Sequence, residues 1–483
     1  MIIKKINNQQ LPEFIIIGGG PAGIITAIHL GRENKSVLLI EAGDTDFDEE
    51  IQSHYKGKVT GDRYYPLDVT RLRYLGGSSN HWEWNKDLST NRLKAGNFAP
   101  LDKFDLDQWP INYEELKNFE KKAKDIFGIK NNFIKYEKSI FDSFRLSSLE
   151  GGYTNFREKY FDEIKNSKNI SLLLKTSVLY LEPNIASNKV NYIQINSHNK
   201  FEKINLNKNS KVIIACGGIE NSRLLLWSKE MAKNKFLKGL PIGKYWMEHP
   251  SGDIGHLIGE KDKVKKIFKK ENYCLVPSEN FLKSEKINNI RFSVQFWEKT
   301  NQKNYKHLIK DLICIAPTYG KKIVESLSNQ MVHCVSVIKF SIEQKPNVDN
   351  SINLSKNEFD KYKIPQVNLK WKIKEDIFKT LKIGLERLAE ETIEKDIGRV
   401  GIDKHVYEQT FKNSNNIFGN NHHMGGTIMS NEENVGVVDE NLKVKNISNL
   451  YVVGSSVFPT GGHFNPTFTI VQLSLRLVRH LTT

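Results

Sequence analysis

The stretch FIIIGGGPAGIITAIHLGRENKSVLLIEAGD, residues 14–44, decides the fold of this chain. Its apolar run Phe14–Ile17 is short and uninterrupted, as expected of a parallel strand that is buried on both faces. The glycines that follow, Gly18, Gly20 and Gly23, have the spacing G-x-G-x-x-G. The first allows a tight turn, the second lets the backbone approach a pyrophosphate, and the third lets a helix pack closely on the strand.

A second strand and an acidic residue complete this pattern. The helix that begins near Pro21 would direct its partly positive N-terminus at the phosphates. Val37–Ile40 is the predicted second strand, and Glu41 follows it, 23 residues after Gly18 (41 − 18 = 23), where a carboxylate can accept hydrogen bonds from ribose hydroxyls. The stretch therefore predicts a dinucleotide site. Glu41 disfavours the phosphorylated ribose of NADP, and the EAGD sequence favours FAD over NAD without deciding between them.

Composition limits the class of protein. The chain has 483 residues, enough for two domains, and its 39% hydrophobic and 26% charged residues are typical of a soluble globular protein. The net charge of +15 predicts a solvated basic surface or, as the alternative, a face for an anionic substrate or a membrane. Nucleic-acid binding is disfavoured, because the sequence has no aromatic-interleaved basic motif and no zinc-ligand spacing.

The cysteines and the N-terminus predict a compartment. Cys216, Cys274, Cys314 and Cys334 are far apart and form no CxxC pair, which favours a reducing environment. The N-terminal sequence has no signal-peptide pattern, and no stretch approaches the roughly 20 apolar residues of a membrane span. We therefore expect a cytoplasmic protein without a transmembrane segment.

Three further stretches carry a resemblance to a known family. RYLGGSSNHWEWN (73–85), IIACGGIENSRLLLWS (213–228) and GVVDENLKVKNISNLYVVGSSVFPTGGHFNPTFTIVQLSLRL (436–477) resemble the glucose–methanol–choline (GMC) oxidoreductases. The match is nearest to the branch of pyranose oxidases and of sugar and polyol dehydrogenases. The resemblance implies FAD-dependent oxidation of a CH–OH group of a carbohydrate, polyol or sugar-bearing metabolite, with hydride transfer to flavin N5. Gly454 departs from the family, because many members have an Asp there.

The resemblance also implies a fold and its domains. We expect an α/β chain, α+β overall, in which a Rossmann-like FAD-binding domain of the GMC type carries an inserted antiparallel-sheet substrate domain. The FAD-binding domain would comprise residues 1–100, 205–255 and 415–483. Residues 101–204 would form a helical insertion with adenine-side strands, and residues 256–414 the substrate-binding domain.

Within the substrate-binding domain, two strand-like runs precede a helical one. MVHCVSVIKFSI (331–342) and IPQVNLKWKI (364–373) alternate imperfectly, and KEDIFKTLKIGLERLAEETI (374–393) has a helical pattern. They predict an antiparallel sheet under a helix that forms the ceiling over the flavin. Trp297, Trp371 and Phe296 could stack on a sugar there, although a core or wall position is the simpler interpretation.

The implied cofactor contacts come from both ends and the middle of the chain. The predicted FAD-binding residues are Gly18, Gly20, Pro21, Ala22, Gly23, Glu41, Ala42, Arg73, Gly76, Gly77, Ser78, Asn80, His81, Trp82, Val178, Ala215, Cys216, Gly217, Asn221, Gly454, Ser455, Asn465, Pro466 and Thr467. In pyranose oxidases the histidine that matches His81 is joined covalently to the flavin. The alternative is a packed His81 beside noncovalent FAD, and both stay open. Cys216 is expected to be a small packed residue rather than a redox thiol.

The stretch NNHHMGGTIMS (420–430) carries two adjacent histidines, His422 and His423. A metal site is not expected, because adjacent side chains point different ways and no companion ligands have the right spacing. By the family pattern, the histidine three residues before the Gly-Thr pair is catalytic, which predicts His423 as the general base. The orientation of His422 stays unassigned.

The partner of the base should come from GGHFNPTFTI (461–470), where the family has His or Asn and this chain has Asn465. Pro466 suits the first turn of the helix that follows. His463 is predicted to line the loop or contact substrate, with a plain surface position as the alternative. His249, in GKYWMEHPSG, is expected to be structural.

Two alternatives to alcohol oxidation stay open. One is a GMC-fold flavoprotein with non-alcohol chemistry, of the lyase or decarboxylase type. The other is a catalytic subunit that depends on an electron-accepting partner. The expected ligand is a small alcohol or sugar, and the electron acceptor could be oxygen, a quinone or a protein.

Overall fold

The structure, a computed structural model, describes most of the chain. It covers residues 1–5, 11–87, 92–93, 97–103, 105–152, 155–259, 263–264, 267–268, 273–296, 336–407 and 417–483, and gives backbone only for 82–87, 92–93, 97 and 296. Trp297, Cys314, Cys334 and the side chains of Trp82 and Phe296 therefore lie outside the described residues.

A six-stranded parallel sheet forms the dinucleotide-binding half. Its strands lie in the order Ile2–Ile3, Ile170–Leu173, Val37–Ile40, Phe14–Ile17, Lys211–Ile214 and Leu450–Val452. All five pairings are parallel. Phe14–Ile17 and Val37–Ile40 have the predicted bounds, and every residue of both strands is buried. Burial on both faces explains why these strands are continuous apolar runs.

Helices cover this sheet. They are Pro21–Arg32, Phe156–Asn166, Gly217–Met231 and Thr467–Thr482, and the first packs on the last. Gly217–Met231 begins three residues after the end of the strand Lys211–Ile214. Its N-terminus and that of Pro21–Arg32 consequently lie at the same carboxyl edge of the sheet.

An eight-stranded sheet forms the second half, and all its pairings are antiparallel. The strands run in the order Gly398–Ile402, Pro250–Gly259, Ser336–Ile342, Ile290–Phe296, Tyr273–Pro277, Phe144–Ser148 and Glu137–Lys138, and Phe418–Gly419 also pairs with Pro250–Gly259. The helix Glu375–Glu394 packs its apolar face on this sheet through Leu381 and Leu385. The expected antiparallel sheet with a covering helix is thus present.

One predicted strand belongs elsewhere. The run predicted at 364–373 forms the strand Pro365–Trp371, which joins Ser351–Phe359 and Gly57–Gly61 in a separate three-stranded sheet. Trp371 explains the difference, because it is fully buried in a different apolar cluster, beside Trp246.

The remaining described elements are small. The other sheets are Thr176–Asn184 with Lys189–Ser197 and Lys200–Asn205, Asn97–Phe98 with Glu150–Gly151, and Lys86–Asp87 with Arg92–Leu93. The other helices are Glu49–Ser53, Tyr113–Lys117, Glu120–Phe127, Glu279–Glu285 and Lys404–Tyr407, with 3-10 turns at Gly77–Asn85 and Ser455–Val457. None of the helices described is both long and apolar enough to cross a membrane.

The two halves share strands across the predicted boundaries. The segment 101–204 contributes Ile170–Leu173 to the parallel sheet and Phe144–Ser148 to the antiparallel one. The strand Pro250–Gly259 runs through the boundary predicted between residues 255 and 256. We therefore propose two interleaved halves that share boundary strands.

Candidate active site

A cavity of about 500 Å³ is lined by the glycine loop and by the paired histidines. It lies at the carboxyl ends of the parallel strands, where open α/β sheets bind their ligands. It brings together most of the predicted residues: Gly18, Gly20, Pro21, Ala22, Glu41, Ala42, Arg73, Gly77, Ser78, His81, Val178, Ala215, Cys216, Gly217, His423, Gly454, Ser455, Asn465, Pro466 and Thr467. His422 lines it as well.

The three motif glycines differ in what surrounds them. A Cβ on Gly18 would lie 2.5 Å from the carbonyl oxygen of Ala215, and the φ of Gly18 is +105°. A Cβ on Gly23 would lie 1.9 Å from the carbonyl oxygen of Gly18, so only glycine allows this helix–strand contact. At Gly20 a Cβ would meet no atom within 4 Å, which leaves open space beside the helix N-terminus.

Glu41 is fixed by the backbone that it follows. One carboxylate oxygen accepts a hydrogen bond from the Gly19 N–H at 2.7 Å, and the other accepts from the Gly43 N–H at 2.9 Å. The side chain is buried at the cavity wall. Each carboxylate oxygen can accept more than one hydrogen bond, so Glu41 keeps capacity for a ligand's hydroxyl groups.

Of the predicted cofactor-binding residues whose side chains are described, four do not line the cavity. Besides Gly23, these are Gly76, Asn80 and Asn221. Asn221 accepts a hydrogen bond from the Cys216 N–H at 2.7 Å and donates one to Ser456 Oγ at 2.8 Å. Asn80 is fully buried and donates to a backbone carbonyl at 2.9 Å. These amides hold the cavity's loops in place, and their contact with the cofactor stays a prediction.

His81 lines the cavity, and its Nε2 is buried with no hydrogen-bond partner among the described residues. Burial lowers the pKa of its imidazole, which favours the neutral ring. A neutral ring with an unengaged nitrogen suits either predicted role, and a covalent link to the flavin stays a prediction.

His422 and His249 form a hydrogen-bonded pair. The two Nδ1 atoms are 2.9 Å apart, and His249 Nε2 lies 3.2 Å from the carbonyl oxygen of Gly461. Since a carbonyl only accepts, His249 donates from Nε2 and accepts at Nδ1, and His422 donates from its own Nδ1. Burial lowers the pKa of His249 to about 3 and that of His422 well below its usual range, so both rings are neutral. His422 Nε2 consequently carries a lone pair.

His423 is engaged differently. Its Nε2 lies 3.0 Å from the hydroxyl of Tyr64, and that hydroxyl donates a short hydrogen bond to Glu248. With the Tyr64 proton directed at Glu248, His423 Nε2 donates to Tyr64. The backbone carbonyl of His423 also accepts from Ser455 Oγ at 2.5 Å. His423 Nε2 is therefore engaged within the cavity wall, whereas His422 Nε2 has an available lone pair, and the catalytic role of His423 stays a prediction.

Glu248 and Tyr64 were not found from the sequence. One Glu248 oxygen accepts hydrogen bonds from the backbone N–H groups of His249 and His422, at 2.8 and 2.9 Å. The other oxygen accepts from Tyr64. Glu248 is adjacent to the histidine of MEHPSG, which is a weak signal at most, and Tyr64 reaches the site only through the fold.

Glu248 makes stability depend on pH. Burial raises its pKa to about 7, from an ordinary value of 4.5. Its contribution to stability is full below pH 4.5 and is lost as the pH rises through about 7. We expect Glu248→Gln to remove this loss. Between pH 5 and pH 8 the free energy of unfolding should fall in the wild type, and in the variant this fall should be smaller by about 1–3 kcal/mol.

Denaturant unfolding at both pH values measures the effect. Glu33→Gln, at an exposed position, is the matched control and should behave as the wild type. Equal falls for Glu248→Gln and the wild type would refute the assignment.

Asn465 lines the cavity, but His463 does not. Arg291 Nη2 donates a hydrogen bond to Asn465 Oδ1 at 3.4 Å. His463 is fully buried, with its Nδ1 3.6 Å from a carboxylate oxygen of Asp105. The loop turns at Gly462 and packs on Asp105. His463 consequently lies in the protein interior and away from the cavity, where a contact with substrate was predicted.

In the described part of the chain, no group of three or more His, Cys, Asp or Glu side chains is arranged to hold a metal ion. Cys216 lines the cavity near Glu41, and burial raises the pKa of its thiol to about 12. A thiol held in its protonated form is a poor nucleophile.

Comparison with known proteins finds similarity to oxidoreductases. Residues 346–474 match the family model described as GMC oxidoreductase. The fructose dehydrogenase large subunit of Gluconobacter japonicus is 25% identical over 65% of this chain, and the match spans 54% of that protein, about half its length. A GMC oxidoreductase family protein, Mala s 12 of Malassezia sympodialis, is 23% identical over 92% of this chain and 88% of its own.

Solved structures share the fold. Pyridoxine 4-oxidase from Mesorbium loti superposes with a TM-score of 0.60 at 14% identity, covering 97% of this chain and 99% of that one. An R554K variant of Aspergillus oryzae formate oxidase, studied for its FAD modification, gives a TM-score of 0.57 at 16% identity, with 97% of each chain covered. At these identities the likeness concerns the fold alone.

Proposed function

We propose that the chain is a GMC oxidoreductase, as the match of residues 346–474 to that family model supports, and that it is an FAD-dependent enzyme that oxidises a CH–OH group of a carbohydrate, polyol or sugar-bearing metabolite. One observation carries the proposal. The same cavity is lined by a dinucleotide-type glycine loop and by a neutral histidine, His422, together with Asn465.

The residues of the cavity fit FAD. Glu41 would hold the ribose, and the open space at Gly20 would take the pyrophosphate at the N-terminus of the helix Pro21–Arg32. Thr467 begins a second helix at the cavity, and its N-terminus suits negative charge. When bound, FAD supplies the hydride acceptor for the carbinol carbon.

The chain's own residues handle the proton. His422 Nε2 would accept the proton of the substrate hydroxyl, while the hydrogen bond to His249 keeps the ring in the right tautomer. Asn465 can donate from Nδ2 to the hydroxyl oxygen, because Arg291 already occupies its Oδ1. His422 replaces His423 in this proposal, since His423 Nε2 is bound to Tyr64.

The relatives bear on the substrate and the electron acceptor. A fructose dehydrogenase among them supports a sugar or polyol as the donor, and the words "large subunit" in its name support an electron-accepting partner for this chain as well. Oxygen consumption by the isolated chain, compared with reduction of an added dye, separates an oxidase from a dehydrogenase that needs a partner.

The cofactor assignment is tested on purified protein. We expect a yellow protein with a flavin absorption spectrum; a colourless protein that cannot be reconstituted with FAD would contradict the proposal. Acid precipitation then decides the role of His81. Colour in the pellet that is lost in His81→Ala means a covalent flavin, and colour in the supernatant means noncovalent FAD beside a packed His81.

A further inference from the structure

The eight-stranded sheet has one apolar and one polar face. Alternate residues of Ile290–Phe296, such as Ile290 and Phe292, are buried against the covering helix. Arg291 lies between them and, by the alternation of a strand, projects from the opposite face. On the neighbouring strand Ser341 is the register partner of Arg291, and Ser251 on the next strand is the partner of Ser341.

Two members of this row of three residues are hydrogen-bonded to residues that line the cavity. Arg291 donates to Asn465, which lines the cavity. Ser251 Oγ accepts a 2.6 Å hydrogen bond from Asn420, which lines it too. Arg291 also lowers the pKa of both His422 and His249 through its charge. The polar face is therefore linked to the cavity wall near the proposed base, His422.

Two donors in this row are unsatisfied. Arg291 Nη1 and Ser341 Oγ are buried, and neither has a hydrogen-bond partner among the described residues. Ser341 is only 3% exposed. In an antiparallel pair such register partners have their Cβ atoms about 4.5–5.5 Å apart. Two adjacent buried donors without acceptors are costly unless a ligand's oxygen atoms complete them.

The charge of Arg291 is also uncompensated. No carboxylate in the described part of the chain forms an ion pair with it, and an arginine side chain cannot lose its proton in a protein. The nearby Glu343 accepts a hydrogen bond from the Gly462 N–H at 3.2 Å, and burial raises the pKa of this carboxyl to about 7. Glu343 is thus a poor counter-charge for Arg291.

We propose that Arg291 and Ser341 bind an anionic oxygen group of the substrate, a carboxylate or a phosphate, so that the enzyme acts on an acidic sugar derivative or hydroxy acid. The inference rests on the proposed function and names its substrate class. The planar guanidinium matches both anions, which it can bind through two parallel hydrogen bonds. Because Asn465 contacts Arg291 and would also contact the reacting hydroxyl, the carbon that is oxidised lies within a few bonds of the anionic group.

The experiment measures binding and flavin reduction separately. D-gluconate, D-glucose 6-phosphate and D-glucose are titrated calorimetrically, without oxygen, into the His422→Ala holoprotein, in which turnover is expected to be slow, with and without Arg291→Gln, Arg291→Lys or Ser341→Ala. The same compounds are mixed anaerobically with the holoenzyme and its Arg291 variants. Lys339→Gln is the matched control, since Lys339 is a half-exposed cation on the same strand as Ser341 and lies near Asp253.

We expect at least one of the two acids to bind more tightly than D-glucose. Arg291→Gln should raise the dissociation constant of that acid roughly 10- to 100-fold, Ser341→Ala should raise it less, and Lys339→Gln should leave it unchanged. Tighter binding of D-gluconate identifies a carboxylate, and tighter binding of D-glucose 6-phosphate identifies a phosphate. If Arg291→Gln fails to fold, Arg291→Lys and Ser341→Ala supply the same comparison.

Two results would overturn the inference: binding of the acids no tighter than D-glucose, or acid binding that is insensitive to Arg291 and Ser341. Reduction of the flavin by D-glucose and by the acids at equal rates would do the same, and would leave the proposed function standing. If no alcohol reduces the flavin, the proposed function fails, and the calorimetric comparison still decides whether Arg291 holds an anion.

Discussion

Replacing His422 by alanine is expected to slow reduction of the flavin by a substrate alcohol roughly 10²–10⁴-fold, the usual contribution of a general base. The reason is the tautomer. The carbonyl of Gly461 fixes the proton of His249, His249 in turn fixes that of His422, and the lone pair is left on His422 Nε2. His423→Ala should have less than about a tenth of this effect, because His423 Nε2 is committed to Tyr64.

Rapid anaerobic mixing measures both variants on FAD-loaded protein. Added imidazole should restore part of the rate in His422→Ala, as expected when a missing base is supplied, and should not affect the wild type. Tyr64→Phe is the control for the wall, since it removes the partner of His423 and leaves His422 in place. A larger loss in His423→Ala than in His422→Ala would return the catalytic role to His423.

The second large effect is expected in the glycine loop. Gly23→Ala would place a Cβ 1.9 Å from the carbonyl oxygen of Gly18, so the helix Pro21–Arg32 would have to move away from its strand. We expect a loss of stability of about 3 kcal/mol or more, and a protein without flavin. Thermal unfolding and the ratio of flavin to protein measure the two effects.

Gly20→Ala separates folding from cofactor binding. A Cβ there meets no protein atom within 4 Å, so the apoprotein should be as stable as the wild type. Its affinity for FAD should fall at least roughly tenfold, because the pyrophosphate needs that space. Normal FAD binding by Gly20→Ala would contradict the proposed position of the cofactor.

Local patterns were enough to predict the dinucleotide half of the fold. Phe14–Ile17 and Val37–Ile40 are short apolar runs beside glycine and polar residues, which favours buried strands, and both have the predicted bounds. Pro365–Trp371 has a similar pattern but joins another sheet, because its pattern does not specify which apolar cluster Trp371 enters. The apolar cluster that buries Trp371 determines which distant strand Pro365–Trp371 pairs with.

The candidate site was less predictable. The family pattern H-x-x-G-T locates the region around the two histidines, but adjacent side chains are told apart only by their partners. Those partners, Tyr64 and His249, lie 359 and 173 residues away along the chain. Arg291 likewise gives no signal in the sequence. Its proposed role depends on having no carboxylate beside it on the neighbouring strands, and the sequence does not show which strands are neighbours.

The most direct test of the central claim is anaerobic mixing of the purified yellow protein with a panel of sugars, polyols and acidic sugars, followed by its visible absorption. We expect at least one compound to bleach the flavin band, and His422→Ala to slow the bleaching far more than His423→Ala. A flavin that none of these compounds reduces, or one reduced equally fast in both histidine variants, would contradict the central claim.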